Sequence, residues 1–383
     1  MKRRTLLAAA PATLAAGRVR AAEKVKIVWW HAMTAALAEQ VKRIADGFNA
    51  SQDAVELEAV YKGGYGDVLT ATIAAWRAGQ APHIAQIFEV GTGTMLSAKK
   101  AVKPVWELAK ETGLQIDPKA YIPAVRGYYS FSDGRMASMP FNSSTAVMWY
   151  NKDTFQKAGL DPDKAPATWE EIVKAANTIK AKVPGSVPMS TSWPVWIQLE
   201  QYSAIHNLPF ATKGDGFDGL DAQLAFNSKA HVKHIERLLE MSKNGSFKYE
   251  GRDTAPDLLI VSGEAAISFG SSSSRGNLVK SAKFDWAEAY LPYDPEIIET
   301  PMNSIIGGAS LWTMTAPNRT PAEYKAVAAF LKYIGKPDVD ATWAQNTGYV
   351  PVTFAGYELS KQQGYSPGTS APTFRWNNSP AAP

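Results

Sequence analysis

The chain contains no cysteine, which excludes disulfides, thiol catalysis and thiolate metal sites at once. A chain this long buries enough core to fold without such staples. Histidine is scarce as well. The five are His31, His83, His206, His231 and His234, and no HExxH pair occurs among them. His231 and His234 lie three apart, a spacing that suits a metal, but the charged run around them reads as a solvated helix face. No G-x-S-x-G nucleophile elbow is present. Carboxylates are plentiful, so counting does not exclude a glycosidase pair. No apolar run is long enough to span a bilayer.

Charge of one sign is also missing once the first residues are set aside. MKRRTLLAAAPATLAAGRVRA (1–21) has a basic start, a 13-residue apolar stretch (5–17) and small residues near Ala21. That is the layout of an export signal, and Arg3-Arg4 also suits the twin-arginine route. Five of the 40 basic residues fall in this segment, leaving 35 against 36 acidic ones. The remainder carries no basic stripe, so nucleic acid is not an expected partner. Export without a membrane span points to the periplasm.

Aromatics are abundant, with 12 Trp and 15 Tyr. Many flank polar or glycine-rich turns, as expected of residues that line a cleft. The only low-complexity run is Ser271–Ser274, and the tail from Ser366, rich in Pro, Ser, Ala and Gly, reads as poorly ordered.

Periodicity divides the early chain into alternating elements. VKIVWWH (25–31), AVELEAVY (54–61) and HIAQIFEV (83–90) read as strands. Between them, Leu37, Val41, Ile44, Ala45 and Phe48 share a helical face, and GYGDVLTATIAAWRAG (64–79) is a second helix. This order implies a parallel, doubly wound sheet. Ligands meet such sheets at the carboxyl ends of the strands, here Trp30-His31, Lys62 to Tyr65 and Glu89 to Gly91.

A second α/β unit begins near Phe141. AVMWY is its strand, KDTFQKAGL a short helix, and Thr168 with Glu171 a capping box. EAAISFG (264–270) is a strand, after which a serine caps a helix in SSSSRGNLVK. IIGGASLWTM (305–314) reads as a strand returning to the first unit, followed by a surface-type helix in EYKAVAAFLKYIG. The chain therefore crosses between units at least twice, and two lobes joined by several crossings form a hinge with a cleft. PFNSST (140–145) is either a polar turn before AVMWY or a rank of hydroxyls facing that cleft.

The run WYNKDTFQKAGLDPDKAPATWEEIVKAA (149–176) resembles the extracellular solute-binding proteins of bacterial sugar-type ABC importers. YKGGYGDVL, IFEVGTGTM, PFNSST, WPVWIQLE, FNSKAHVKHIERLLEM, IIGGASLW and NTGYVPVT resemble, in order, the branch that binds glycerol-3-phosphate. The resemblance spans about residues 26 to 365. It implies the type II periplasmic-binding-protein fold: two α/β lobes with doubly wound sheets and a hinge. The implied boundaries are 22–139 for the first lobe, 140–310 for the second, 311–345 for a return to the first, and 346–383 for a last crossing and tail. It also implies a non-catalytic, monomeric receptor without cofactor. Such a receptor hands glycerol-3-phosphate, or a phosphodiester such as glycerophosphocholine, to an inner-membrane permease and its ATPase.

The resemblance assigns ligand contacts to Tyr65, Glu89, Ser144, Trp193, Ser271, Gly308 and Tyr349. Trp193 is the apolar wall, Glu89 accepts from glycerol hydroxyls, and the serine, tyrosine and Gly308 backbone groups donate to phosphate. In that branch a later segment carries an arginine for the phosphate, whereas this sequence diverges after GYSP. Arg275 and Arg375 are the candidate substitutes. Taken singly, each of these residues has a plain structural reading: a core tryptophan, a solvated glutamate, a tight glycine pair. A neutral sugar or oligosaccharide is the rival ligand class, and an exported hydrolase or a structural protein the remoter alternatives.

Overall fold

The computed structural model describes residues 23–365, apart from Phe217 and Leu220. The leader, the tail and Arg375 lie outside the described residues. Among the described residues nine strands form one sheet of mixed pairing: β1 (Val25–His31), β2 (Val55–Tyr61), β3 (Ile84–Phe88), β4 (Val102–Lys103), β5 (Met139–Asn151), β6 (Val187–Thr191), β7 (Ala265–Ser271), β8 (Trp286–Ala289) and β9 (Ile306–Met314). The order is β2-β1-β3-β9-β5-β7-β6, with β4 on β9 and β8 on β5. β1 pairs in parallel with β2 and β3, as the strand–helix alternation predicts. The helix Ala35–Ala50 between the first two strands buries Val41, Ile44, Ala45 and Phe48 against them. Among the described residues no helix is long and apolar enough to cross a membrane.

β5 joins the two halves. Its first part, Met139–Thr145, pairs antiparallel with β9, and its second part, Ala146–Asn151, pairs with β7 and β8. All 13 of its residues are buried. PFNSST is therefore strand, not turn. Pro140, which lacks an N–H to donate, is accommodated by a register shift between Pro140 and Asn142. β9 returns to the first half as expected, antiparallel to β3 from Ile84↔Thr313 to Phe88↔Ala309.

The two interiors differ. The first half is tiled with rings: Trp29 sits edge-on to Phe141 at 5.3 Å and 5.4 Å from Phe330, and Phe141 lies 4.7 Å from Trp343. The helix Pro321–Ile334 contributes Ala326, Val327, Ala328, Phe330, Leu331 and Ile334 to that core, so it is more deeply docked than a surface-type helix. The second half packs Met148, Phe155, Trp169, Ile172 and Phe269 into one core, and Trp169 borders a polar cluster, 4.6 Å from the His234 ring.

That cluster corrects the reading of the histidine pair. His231 and His234 are fully buried, because the helix Lys229–Lys243 turns Val232, Ile235 and Leu239 to solvent instead. Burial is tolerated because each ring nitrogen finds a partner. His231 bonds Ser203 and Ser228, and His234 bonds Gln198 and stacks on Tyr202 at 4.0 Å. Asp294 accepts from Tyr202 Oη at 2.7 Å and from both ends of the Arg237 guanidinium at 2.8 and 3.1 Å. No cluster of His, Asp or Glu among the described residues suits a metal ion.

Candidate ligand-binding site

The seam where β3, β9 and β5 meet brings several of the expected residues together. Tyr65 opens the helix Tyr65–Arg77, whose first turn is fixed by the Gly64 N–H donating to Asp67 at 2.9 Å. Its ring stacks on Phe88 at 5.4 Å and lies 6.3 Å from Trp193 of the second half. The Tyr65 and Tyr349 hydroxyls share a hydrogen bond at 3.3 Å. Asn142 Nδ2 donates to Tyr65 Oη at 2.9 Å, and Asn142 Oδ1 accepts from Gln86 Nε2 at 2.8 Å. Sequence reasoning missed Asn142 and Gln86. Strand alternation through 139–151 was the available signal, hidden by the turn-like look of PFNSST.

Glu89 follows β3 as the first residue of a 3₁₀ turn. Its Oε2 accepts the Gly308 N–H at 3.1 Å, and its carbonyl oxygen accepts from Tyr128 at 3.2 Å. The residue keeps part of its surface open, yet the carboxyl lies deep among protein atoms. Burial raises it to about 8, against the pull of the Gly308 N–H and with the Glu200 charge adding to the rise. Burial also pushes the Tyr65 and Tyr349 hydroxyls up, so both stay protonated donors at neutral pH. Gly308, assigned to the phosphate by resemblance, thus donates to Glu89 here. It adopts φ 120°, and a Cβ there would overlap the Asn142 carbonyl oxygen. Only glycine fits that approach.

The strand that joins the halves and the second half beyond it supply serines. Ser143 and Ser144 pair across β5–β9 with Gly308 and Gly307, and Ala146 pairs with Ser271 on β7. Ser271 ends its strand, and its hydroxyl meets Ser273 Oγ at 2.8 Å while accepting the Ser273 N–H at 3.1 Å. The expected serine cap on the next helix does not form. Ser273 is the N-cap of Ser274–Ser281 but makes no side-chain cap bond, because its helical backbone angles turn the hydroxyl away from the first turn. Beneath this loop Asp257 is raised to about 7 by burial, with the Ser192 and Ser274 hydroxyls beside it pulling the other way.

WPVWIQLE separates its two tryptophans. Trp193 takes the left-handed region at φ 46° and stays half-exposed at Tyr65, whereas Trp196 is buried against Gly307. Trp196–Gln201 forms a π-helix, a widened turn that recurs at functional sites and that the apolar spacing did not reveal. The Arg275 guanidinium lies 5.4 Å over the Tyr365 ring, and its charge also acts on the buried Glu288.

The arrangement is a seam of hydroxyls, amides and one raised carboxyl with aromatic walls, suited to holding a small polar solute between two halves. The bacterial extracellular solute-binding protein model matches residues 43–363, and the chain belongs to that family. Over 363 residues it is 45% identical to the sn-glycerol-3-phosphate-binding periplasmic protein UgpB of Yersinia pestis bv. Antiqua, covering 94% of this chain and 82% of that one. Identity to UgpB of Escherichia coli K12 is 44% over 361 residues, 93% of this chain and 82% of the relative. In fold, it matches UgpB from Mycobacterium tuberculosis in complex with glycerophosphocholine, with a TM-score of 0.74 at 20% identity, over 88% and 85% of the two chains. Maltose-bound MalE3 of T. maritima gives 0.72 at 17% identity, over 91% and 88%. The architecture is thus the two-lobed binding-protein fold expected from the sequence.

Proposed function

We propose that this chain captures sn-glycerol-3-phosphate, or a glycerophosphodiester, in the periplasm and delivers it to an inner-membrane ABC permease without chemical change. The observation that carries this reading is 45% identity across 94% of the chain to proteins named for glycerol-3-phosphate binding. The seam supports it. Tyr65, Tyr349, Ser144, Ser271 and backbone N–H groups present neutral donors to an anion, Trp193 offers an apolar wall, and Glu89 offers an acceptor for hydroxyls. The passage between lobes is taken to fall within β5, where its pairing changes from β9 to β7, and the N-terminal leader serves export.

A receptor that must release its cargo works by many moderate contacts. Each hydrogen bond to a charged group nets about 1.5–3 kcal/mol and each neutral one about 0.5–1.5, against several kcal/mol lost on association. Five or six such contacts reach roughly −8 kcal/mol, or micromolar affinity. Contacts from both halves favour the closed form.

Calorimetry with glycerol-3-phosphate, glycerophosphocholine and maltose tests the reading. Heat is expected from at least one of the two phosphates and none from maltose, with recovery of unchanged ligand afterwards. The double variant Glu89→Ala/Ser144→Ala should weaken binding at least about tenfold, the loss of two hydrogen bonds. Heat from maltose alone, or unaltered affinity in the double variant, would overturn the assignment.

A further inference from the structure

The π-helix carries a carboxyl that the ligand reading does not use. Its two anchors fix where it faces. Trp196 lies so close to β9 that a Cβ on Gly307 would come within 2.6 Å of its ring. Gln201 clasps the strand entry, donating to the Ile305 carbonyl at 2.8 Å and accepting the Ile305 N–H at 3.0 Å. Glu200 stands beside Gln201 and one turn on from Trp196, hence toward the start of β9, where the Gly308 N–H meets Glu89. Glu200 is half-buried, and its charge acts on both Glu89 and Tyr128 of the first half. The other groups around Glu89 are the Tyr65, Tyr128, Tyr129 and Tyr349 hydroxyls. Among the described residues, the charge that chiefly acts on it is that of Glu200.

We propose that Glu200 is a second ligand-facing carboxyl, which closes with Glu89 from opposite halves around the donor-bearing end of the ligand and so requires that end to offer two hydroxyl donors. The ligand part rests on the function proposed above; the pairing of the two carboxyls does not. Two carboxylates facing each other in a poorly solvated seam repel, so the empty protein closes only if one of them keeps a proton. Burial raises both carboxyls, which favours keeping it. A vicinal diol seated between them replaces that proton, each O–H donating to one carboxylate. A ligand without the donors leaves the pair unmatched, which a site built for hydroxyls penalises heavily. The closed form holds the shared proton more tightly than the open one. Closure of the empty protein therefore weakens as pH rises through 7 to 9, by at most about tenfold per pH unit for one proton.

The chain lacks cysteine, so spin labels at Lys99→Cys and Lys157→Cys, one exposed site on each half, report the distance between the halves in the ligand-free full chain. The closed fraction should fall from pH 6 to pH 9 in the parent. It should fall less steeply in Glu200→Gln, which keeps shape and removes one of the two charges while burial still raises Glu89, and fall as in the parent in Glu200→Asp. Identical pH curves for parent and Glu200→Gln overturn the pairing. In parallel, affinities for glycerol-3-phosphate and propyl phosphate are compared. The parent should prefer the diol by about 100-fold, Glu200→Gln by no more than about tenfold, and Glu200→Asp should recover part of the difference. An unchanged ratio overturns the selective role. If neither phosphate binds the parent, the glycerol-3-phosphate reading and the diol requirement fall together, while the label distances still decide the pairing.

Discussion

The two halves stabilise themselves by different means. The first is held mainly by stacked rings, Trp29, Phe141, Phe330 and Trp343 among them, with its buried charge-bearing groups, His31 and Asp340, set apart from one another rather than joined in a cluster. The second buries an ion pair and three imidazoles, whose worth depends on every partner being present. Apolar cores lose stability in proportion to the volume removed, whereas a buried polar network fails when a single member goes. One chain thus carries two lobes with different vulnerabilities, joined by β5 and β9.

A substitution at the seam should erase the distinction. Gly308→Ala drives a methyl into the Asn142 carbonyl on the strand both halves share, so a loss of roughly 4 kcal/mol or more is expected. Chemical denaturation would read it as one early transition of the whole chain, with ligand binding abolished.

Asp294→Ala should instead strike one half. It leaves Arg237 and Tyr202 without their shared acceptor, at a cost of about 3–5 kcal/mol. Hydrogen exchange should show lost protection in Lys229–Lys243 and Trp169–Lys182 and little change in Ala35–Ala50. Equal loss in all three helices would mean that the halves are one energetic unit.

Acid should reach both halves, since burial lowers His31 of the first half to about 4, but the second half holds three such rings in one cluster. Burial lowers the His206, His231 and His234 imidazoles, and the Arg237 charge adds to the effect at His206 and His234. A lowered histidine contributes stability that is complete above its unfolded value near 6.5 and is lost as pH falls below that. The stability difference between parent and His234→Gln should therefore shrink from pH 7 to pH 5. A difference that stays constant over this range would mean that His234 does not titrate as a buried neutral ring.

The smallest effects lie at two matched caps. Thr168 with Glu171, and Thr320 with Glu323, form capping boxes in the second and first half respectively. Thr168→Ala should cost about 1 kcal/mol in a thermal melt. Glu323→Gln should cost more than Glu171→Gln. Although partial burial works to raise it, Glu323 is held near 2 by bonds from Thr320 and His83 and by the Arg319 charge. Glu171 is lowered by its Ala167 and Thr168 backbone contacts and lacks the His83 and Arg319 partners.

What the sequence disclosed followed from local rules. The period of Val41, Ile44 and Phe48, the alternation of VELEAVY and the Thr168 cap each speak through neighbours a few residues away, and each element formed where expected. Pro140-Phe-Asn-Ser-Ser did not announce a strand, because its partners Ile306–Leu311 come far later in the chain and proline and serine mask the alternation. His231 and His234 were misread for the same reason: Ser203, Gln198 and Tyr202, which make their burial bearable, lie on another segment. Glu89 was visible as a strand-end acid. Its depth, its Gly308 partner and the nearby Glu200 were not, since all depend on how distant strands meet.

β3 waits for β9. Residues as far apart as Ile84 and Thr313 must meet before the first core is sealed, so a growing chain holds that strand's flank bare until nearly all of it has been made. Such an edge is open to the wrong neighbour in the meantime. Slow assembly follows from the same order of construction, and a chaperone that shields residues 84–88 should speed recovery of the native form more than one that shields the late helices.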